Sequence, residues 1–309
     1  MTFRQLLRRG KPYTINIVDG HVEVVRPGTT SSYNNYITGD LVIPDSVTYN
    51  DTLYAVTVLA PVGSHGTFEG CIGLTSVIIP ESITTIGNYT FFNCTGLTTV
   101  IIPDNVSIIG SYAFFSVRHI EYNGNASGSR WGAISMNGVT DGDFVFSDST
   151  KHYLISYIGS GIDVIIPSIV DTIGDQAFRG CNNLTSITIP DSITYIGAQT
   201  FYGCDNLTSV SIGSGVRFIG NYAFSHCNSL TTITIPDGVI SVGTAAFRDC
   251  VGLTSVTIGN GVSSIGNDTF FGCSGLSTIT IGNSVNSIGF DAFFNCSNLT
   301  TVTIPDVLD

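Results

Sequence analysis

The sequence predicts a repeat solenoid, a superhelix of stacked coils that is mainly parallel β with short 3₁₀ or α turns. Three observations predict it. Cys71 and Cys94 are 23 residues apart, and Cys181, Cys204, Cys227, Cys250, Cys273 and Cys296 follow one another at the same step. A glycine keeps the same time at Gly87, Gly110, Gly174, Gly197, Gly220, Gly243, Gly266 and Gly289. Between these markers, short stretches alternate apolar and hydroxylated side chains, as a strand with one buried face does. A fixed period puts each residue type at one repeated place in a coil, and neighbouring coils bury a core that no single coil could close.

One coil, LTSITIPDSITYIGAQTFYGCDN (184–206), serves for the rest. Leu184, Ile187 and Ile189 point inward, while Ser186 and Thr188 face the other way. Pro190 ends the strand, and Gly213, Gly259 and Gly282 do so in sister coils, because proline lacks the ladder donor and glycine permits a bend. Ile193 and Ile196 form a second apolar pair and lead into the repeated glycine, where positive φ or backbone crowding is expected. The closing [AT]-F-x-x-C is too short for a helix and reads as one turn.

The even cysteine count allows a disulfide framework. Stacked Cα atoms would fall within bridging range, but thiols of one ladder point the same way, which favours a reduced ladder of small apolar side chains. Zinc lacks support: no C-x-x-C exists, and His21, His65, His119, His152 and His226 share no repeat position.

Charge narrows the partners. Only 11% of residues are charged, and the net charge is −12. Five of the eleven basic residues, Arg4, Arg8, Arg9, Lys11 and Arg26, precede the repeats. From residue 161 onward Arg179, Arg217 and Arg248 face eleven aspartates. Phosphate backbones need clustered Lys or Arg, so nucleic acid and anionic membrane are excluded as partners. No apolar run approaches a membrane span, and no membrane insertion is expected. The opening MTFRQLLRRGKPY has no apolar core behind its basic residues, so no signal peptide is read in it.

The period divides the chain. Residues 1–40 are read as an N-terminal β cap, 41–116 as repeats with a degenerate first coil, 117–160 as an interruption, and 161–309 as repeats again. The run FVFSDSTKHYLISYI suggests a β-hairpin turning at Asp148-Ser149-Thr150. Asp141, Asp143 and Asp148 lack the liganding order of a calcium loop and are read as turn residues.

The pattern L-x-x-[IV]-x-I-P-x-x-[VI]-x-x-I-G-x-x-A-F-x-x-C resembles the BspA-like, or Treponema pallidum-type, leucine-rich repeat. At least eight coils match it, over roughly 41–116 and 161–309. The segments RWGAISMNG and DGDFVFSDSTKHYLISYIGSG look like an interruption common in such proteins of gut and oral Bacteroidales. The resemblance implies a right-handed leucine-rich-repeat superhelix, secreted or displayed at a cell surface, that takes part in adhesion. It brings no catalytic residues and no cofactor.

Outward strand positions form a grid of hydroxyls: Ser186 and Thr188, Ser209 and Ser211, Thr232 and Thr234, Ser255 and Thr257, Thr278 and Thr280. Thr185, Thr208, Thr231, Thr254, Ser277 and Thr300 run alongside. The grid admits three readings: exposed-strand chemistry alone, a polar wall for an extracellular protein or glycan ligand, or an ice-binding face. The residue after A-F (Phe92, Phe115, Arg179, Tyr202, Ser225, Arg248, Phe271, Phe294) either packs on neighbouring coils or forms an apolar partner strip. A base and a carboxylate could meet where His119 and His152 share the interruption with Asp141 and Asp143, but no nucleophile elbow, phosphate loop or metal motif accompanies them. The expectation is therefore an adhesion module and not an enzyme, with a structural spacer as the alternative. A monomer or weak end-to-end dimer is expected.

Overall fold

The computed structural model describes residues 14–18, 21–25, 37–61, 65–127 and 130–303. The chain forms two compact units, Met1–Asn137 and Gly138–Asp309. Each is a parallel β-solenoid, and helix among the described residues is confined to a 3₁₀ turn at Arg130–Gly132.

In the first unit β1 (Thr14–Val18) and β2 (His21–Val25) form an antiparallel pair. Residues 1–13, 19–20 and 26–36 of the expected cap lie outside the described residues. Strand β3 (Gly39–Val42) opens the long-strand side, and β4 (Ser46–Tyr49) turns back antiparallel onto β5 (Thr52–Ala60). Two parallel ladders then grow. One runs from β2 through β5 to the short strands β7 (Thr85–Ile86) and β9 (Ile108–Ile109). The other pairs β3 with β6 (Leu74–Ile78), and β8 (Thr99–Ile101) with β10 (His119–Glu121), which pairs in turn with β11 (Ser135–Met136). Residues 117–137, the first part of the stretch expected to interrupt the array, thus carry strands that extend the β8 ladder.

The second unit begins with an antiparallel trio, β12 (Val139–Asp141), β13 (Phe144–Phe146) and β14 (Tyr153–Tyr157). The β13–β14 hairpin turns over Asp148, which accepts from Thr150 N at 2.8 Å. Coils follow: β15 (Asp163–Ile165), β16 (Thr172–Ile173), β17 (Ser186–Ile189), β18 (Tyr195–Ile196), β19 (Ser209–Ile212), β20 (Phe218–Ile219), β21 (Thr232–Ile235), β22 (Ser241–Val242), β23 (Ser255–Ile258), β24 (Ser264–Ile265), β25 (Thr278–Thr280), β26 (Ser287–Ile288) and β27 (Thr301–Thr303). Odd-numbered long strands pair in parallel and in exact coil register, Ile187 against Val210 and Val256 against Ile279. Even-numbered short strands carry the other side, from β14 through β22. The long-strand ladder is broken between β19 and β21, and Val210 and Ile212 are only half-buried where their counterparts Ile187 and Ile189 are fully buried.

The third side of each coil is the A-F-x-x-C stretch. Its turns close with i→i+3 hydrogen bonds, such as Arg179 N to Gln176 O at 2.9 Å and Cys181 N to Phe178 O at 3.1 Å. Its alternate N–H groups reach the next coil, Gln176 to Ala198 O and Phe178 to Thr200 O, both at 2.9 Å. The phenylalanines stack as a spine, Phe178, Phe201, Phe224, Phe247, Phe270 and Phe293, with centroids 4.9–5.6 Å apart. Tyr157 heads that spine at 5.0 Å from Phe178, so the hairpin strand β14 caps the core with an aromatic ring. Such offset ring pairs add to the area each ring buries.

The repeated glycine serves crowding. A Cβ on Gly220 would sit 2.6 Å from Ala198 N. Positive φ falls two residues later, on Tyr89, Tyr112, Gln176, Gln199, Tyr222, Ala245, Asp268 and Asp291. It recurs just before the cysteine, on residues such as Gly203, His226 and Asp249.

Candidate functional site

The long strands of the second unit place the hydroxyl grid on one face. Ile187, Ile233, Val256 and Ile279 turn into the core, which sends the flanking residues outward. Thr188, Ser209, Ser211, Thr232, Thr234, Thr257, Thr278 and Thr280 are exposed; Ser186 and Ser255 are half-buried. Register aligns them in two rows. Ser186 lies beside Ser209 and Thr188 beside Ser211; past the ladder break, Thr232, Ser255 and Thr278 form one row and Thr234, Thr257 and Thr280 the other. The ten predicted residues therefore belong to two ladders.

Hydrogen bonding separates the grid from its neighbour row. Thr208 donates to Thr185 O at 2.9 Å, Thr254 to Thr231 O at 3.0 Å, Ser277 to Thr254 O at 3.0 Å and Thr300 to Ser277 O at 3.3 Å. That row fastens coil to coil except at Thr231, beside the ladder break, whose hydroxyl makes no hydrogen bond among the described residues. Within the grid, Ser186 alone is committed, donating to Asp163 Oδ1 at 2.6 Å. The hydroxyls of Thr188, Ser209, Ser211, Thr232, Thr234, Ser255, Thr257, Thr278 and Thr280 make no hydrogen bond among the described residues. They face solvent with donors and acceptors free.

At the ends of β21, β23 and β25 the grid borders an open groove of about 450 Å³. Thr234, Thr257 and Thr280 line it together with Asp237, Asn260 and Asn283, three residues further along each coil. The second set is built by backbone capping. Asp237 Oδ1 accepts from Asn260 N at 2.7 Å, and Asn260 Oδ1 from Asn283 N at 3.0 Å. The turn aspartates of the repeat thus join coil to coil, as Asp191 does by accepting from Ser214 N at 2.7 Å.

The first unit differs at the same outward positions. Val42, Ile78 and Ile101 are 56%, 60% and 65% exposed. The sequence signal was present: V-I-I-P at 77–80 and 100–103 replaces the I-T-I-P of 187–190. The second unit opens the same way, with V-I-I-P at 164–167 and Ile165, the register partner of Thr188, 73% exposed, so sequence reasoning missed an apolar position in both units.

The strip after A-F packs coil on coil. Phe92 stacks on Phe115 at 4.8 Å and Phe271 on Phe294 at 5.3 Å, while Arg248 lies 4.1 Å from the Phe271 ring centre. Arg179 sits likewise over Tyr202 at 5.1 Å.

The titratable residues of 117–160 find separate partners. His119 Nδ1 is 2.9 Å from Ser135 Oγ, and both are buried. Ser135 Oγ donates to Arg118 O at 2.9 Å, so its proton points at a carbonyl and the imidazole cannot take it. His152 Nδ1 faces Asp171 at 3.3 Å, and Lys151 pairs with Asp141 at 2.6 Å. Among the described residues, no three His, Cys, Asp or Glu side chains gather as a metal site.

The cysteines are free thiols, and the ladder ones donate to the coil before, as Cys227 does to Phe201 O at 3.2 Å. Burial, first of all, pushes the thiols of Cys94, Cys204 and Cys227 up. For Cys273 the hydrogen bond with Cys250 leads, followed by burial.

A family model described as a BspA type leucine rich repeat region matches in 6 copies, over residues 64–127, 151–273 and 194–309. The chain belongs to this family. The BspA-type repeat accounts for both the coil period and the parallel, coil-by-coil register of its strands. A leucine-rich repeat protein from Eubacterium ventriosum is similar in fold, at 19% identity over 96% of this chain and 84% of that one, with a TM-score of 0.50. The Treponema pallidum leucine rich repeat protein matches at 27% identity over 56% of this chain and 92% of its own, with a TM-score of 0.42. A leucine rich cell surface protein of Faecalibacterium prausnitzii matches at 21% identity over 95% and 93%, with a TM-score of 0.44. No curated protein matches the chain. Among the described residues no helix is long and apolar enough to cross a membrane.

Proposed function

We propose that the chain is an extracellular interaction and adhesion module, without catalytic role, whose contact surface is the hydroxyl face of the second unit. One observation carries this reading: the neighbouring hydroxyl row, Thr231 apart, is spent on stacking coils, whereas nine of the ten grid hydroxyls are left uncommitted. A row serving only the fold would be bonded like its neighbour. A wide, flat, polar surface suits an extended ligand held by many weak contacts, which add up along the array. Secretion or display at a cell surface is part of the same reading and follows the family resemblance. Oligomeric state is left as monomer or weak end-to-end dimer.

The test is binding of the purified chain to an array of matrix proteins, mucins and glycans, beside a variant with Thr188, Thr234, Thr257 and Thr280 changed to Lys. A hit lost in the variant supports the reading. A hit kept by the variant moves the contact surface elsewhere, and no hit at all leaves the spacer role.

A further inference from the structure

We infer that the groove lined by Thr234, Thr257 and Thr280 together with Asp237, Asn260 and Asn283 binds a neutral polysaccharide; this rests on the reading of the strand face as the contact surface. The groove spans three successive coils and has a volume of about 450 Å³. Its lining offers two kinds of polar group. The threonine hydroxyls both donate and accept, and each makes no bond within the described residues. The capping oxygens of Asp237 and Asn260 are occupied by backbone N–H groups. Both residues are exposed, and the second carboxylate oxygen of Asp237 and the amide NH₂ of Asn260 make no hydrogen bond among the described residues, which leaves a ligand an acceptor and a donor. Coils repeat at about 4.8 Å, so the groove presents hydroxyl, amide and carboxylate groups at regular short intervals, a spacing that suits a polymer carrying several hydroxyls per unit.

Other ligand classes fail on specific grounds. A polyanion needs cations, and the groove lining contains none. An added peptide strand needs an open edge, but β23 and β25 are laddered on both sides, and β21 is laddered to β23 on one side and has β19 packed along the other across the ladder break. A folded protein partner is held by aromatic or arginine anchors seated in apolar pockets, and the lining has no aromatic residue and no arginine, its isoleucines being buried in the core. The exposed apolar strand residues Val42, Ile78, Ile101 and Ile165 lie outside the groove lining.

Affinity electrophoresis of the full chain through gels holding dextran, galactomannan, α-mannan or mixed-linkage β-glucan tests this, with heparin as the anionic control. The variant carries Thr234→Val, Thr257→Val and Thr280→Val, which keep shape and strand propensity while removing three hydroxyls. At least one neutral polymer should retard the chain and heparin should not. The triple variant should bind about ten-fold or more weakly, as expected for three lost hydrogen bonds, with an unchanged melting temperature. No retardation by any neutral polymer, or equal retardation of the variant, overturns the assignment. If that happens while the array gives a protein hit sensitive to the Lys variant, the polysaccharide assignment falls and the interaction reading stands. If the array is also blank, both fall.

Discussion

Cys250 donates its thiol hydrogen to the carbonyl oxygen of Phe224 at 3.0 Å. The same bond joins Cys94 to Phe68, Cys204 to Phe178, Cys273 to Phe247 and Cys296 to Phe270. The carbonyl lies at the A-F turn of the preceding coil, where a local turn partner and a thiol one coil on both reach it. A small, weakly polar donor fits this place, and the cysteine spacing records it. Replacing Cys250 with Ala removes the donor and leaves a small void, so unfolding should show about 1–3 kcal/mol of lost stability. Replacing exposed Ser241 should cost less than about 0.5 kcal/mol. Denaturant titration of the two variants compares them.

The thiols also set an alkaline limit. In the fold burial holds the thiols of Cys94, Cys204 and Cys227 above the ordinary cysteine value, the hydrogen bond with Cys250 and then burial do so for Cys273, and burial pushes Cys296 up to about 12. The unfolded chain therefore releases these protons first. Their contribution to stability is complete below pH 9.0 and is lost as pH rises above it. Melting temperature should fall through the alkaline range, and native thiols should resist a maleimide at neutral pH, with half-buried Cys296 reacting ahead of fully buried Cys227.

His119 sets the opposite limit. Burial lowers its pKa below the ordinary histidine value of 6.5, with Glu121 opposing in part. The folded imidazole is thus kept neutral while the unfolded one takes a proton first. Stability from this residue is whole above pH 6.5 and falls as pH drops below it. Comparing the pH dependence of melting for the chain and its His119→Gln variant should show a shallower acid decline in the variant.

Two glycines separate crowding from backbone conformation. Gly220→Ala would push a Cβ to 2.6 Å from a backbone nitrogen that cannot move without shifting a coil, at about 3 kcal/mol or more. Gly203 has φ +67 and open space around it, so Gly203→Ala should cost about 1–2 kcal/mol, the left-handed penalty alone. Thermal unfolding of both variants gives the order.

Much of this was legible in the residues. Ile187, Val256 and Ile279 had to face inward because the alternation around them allows one buried side, and the outward rows followed from the same period. Hydrogen bonding was not legible. Thr254 and Thr257 look alike in the sequence, yet Thr254 reaches Thr231 O and Thr257 reaches nothing among the described residues, because that depends on which way a side chain leans across 23 residues. The break between β19 and β21 was hidden as well, since Ser209–Ile212 has the composition of its neighbours. Left-handed Tyr89 and Gln199 gave no warning, as these residue types seldom adopt that region. Stacked turns enforce it through the inter-coil bonds of Tyr89 N to Ser111 O at 3.1 Å and Gln199 N to Asn221 O at 2.8 Å.

The central claim is a division of labour between two hydroxyl rows, and a paired substitution measures it directly. Thr254→Val and Thr257→Val are compared for unfolding free energy and for affinity toward the ligand retained from the array. Thr254→Val should lose about 0.5–1 kcal/mol of stability and keep its affinity. Thr257→Val should hold stability within about 0.5 kcal/mol and bind more weakly. If Thr257→Val binds as the unaltered chain does, or if both variants lose stability alike, the grid is part of the scaffold and the claim is contradicted.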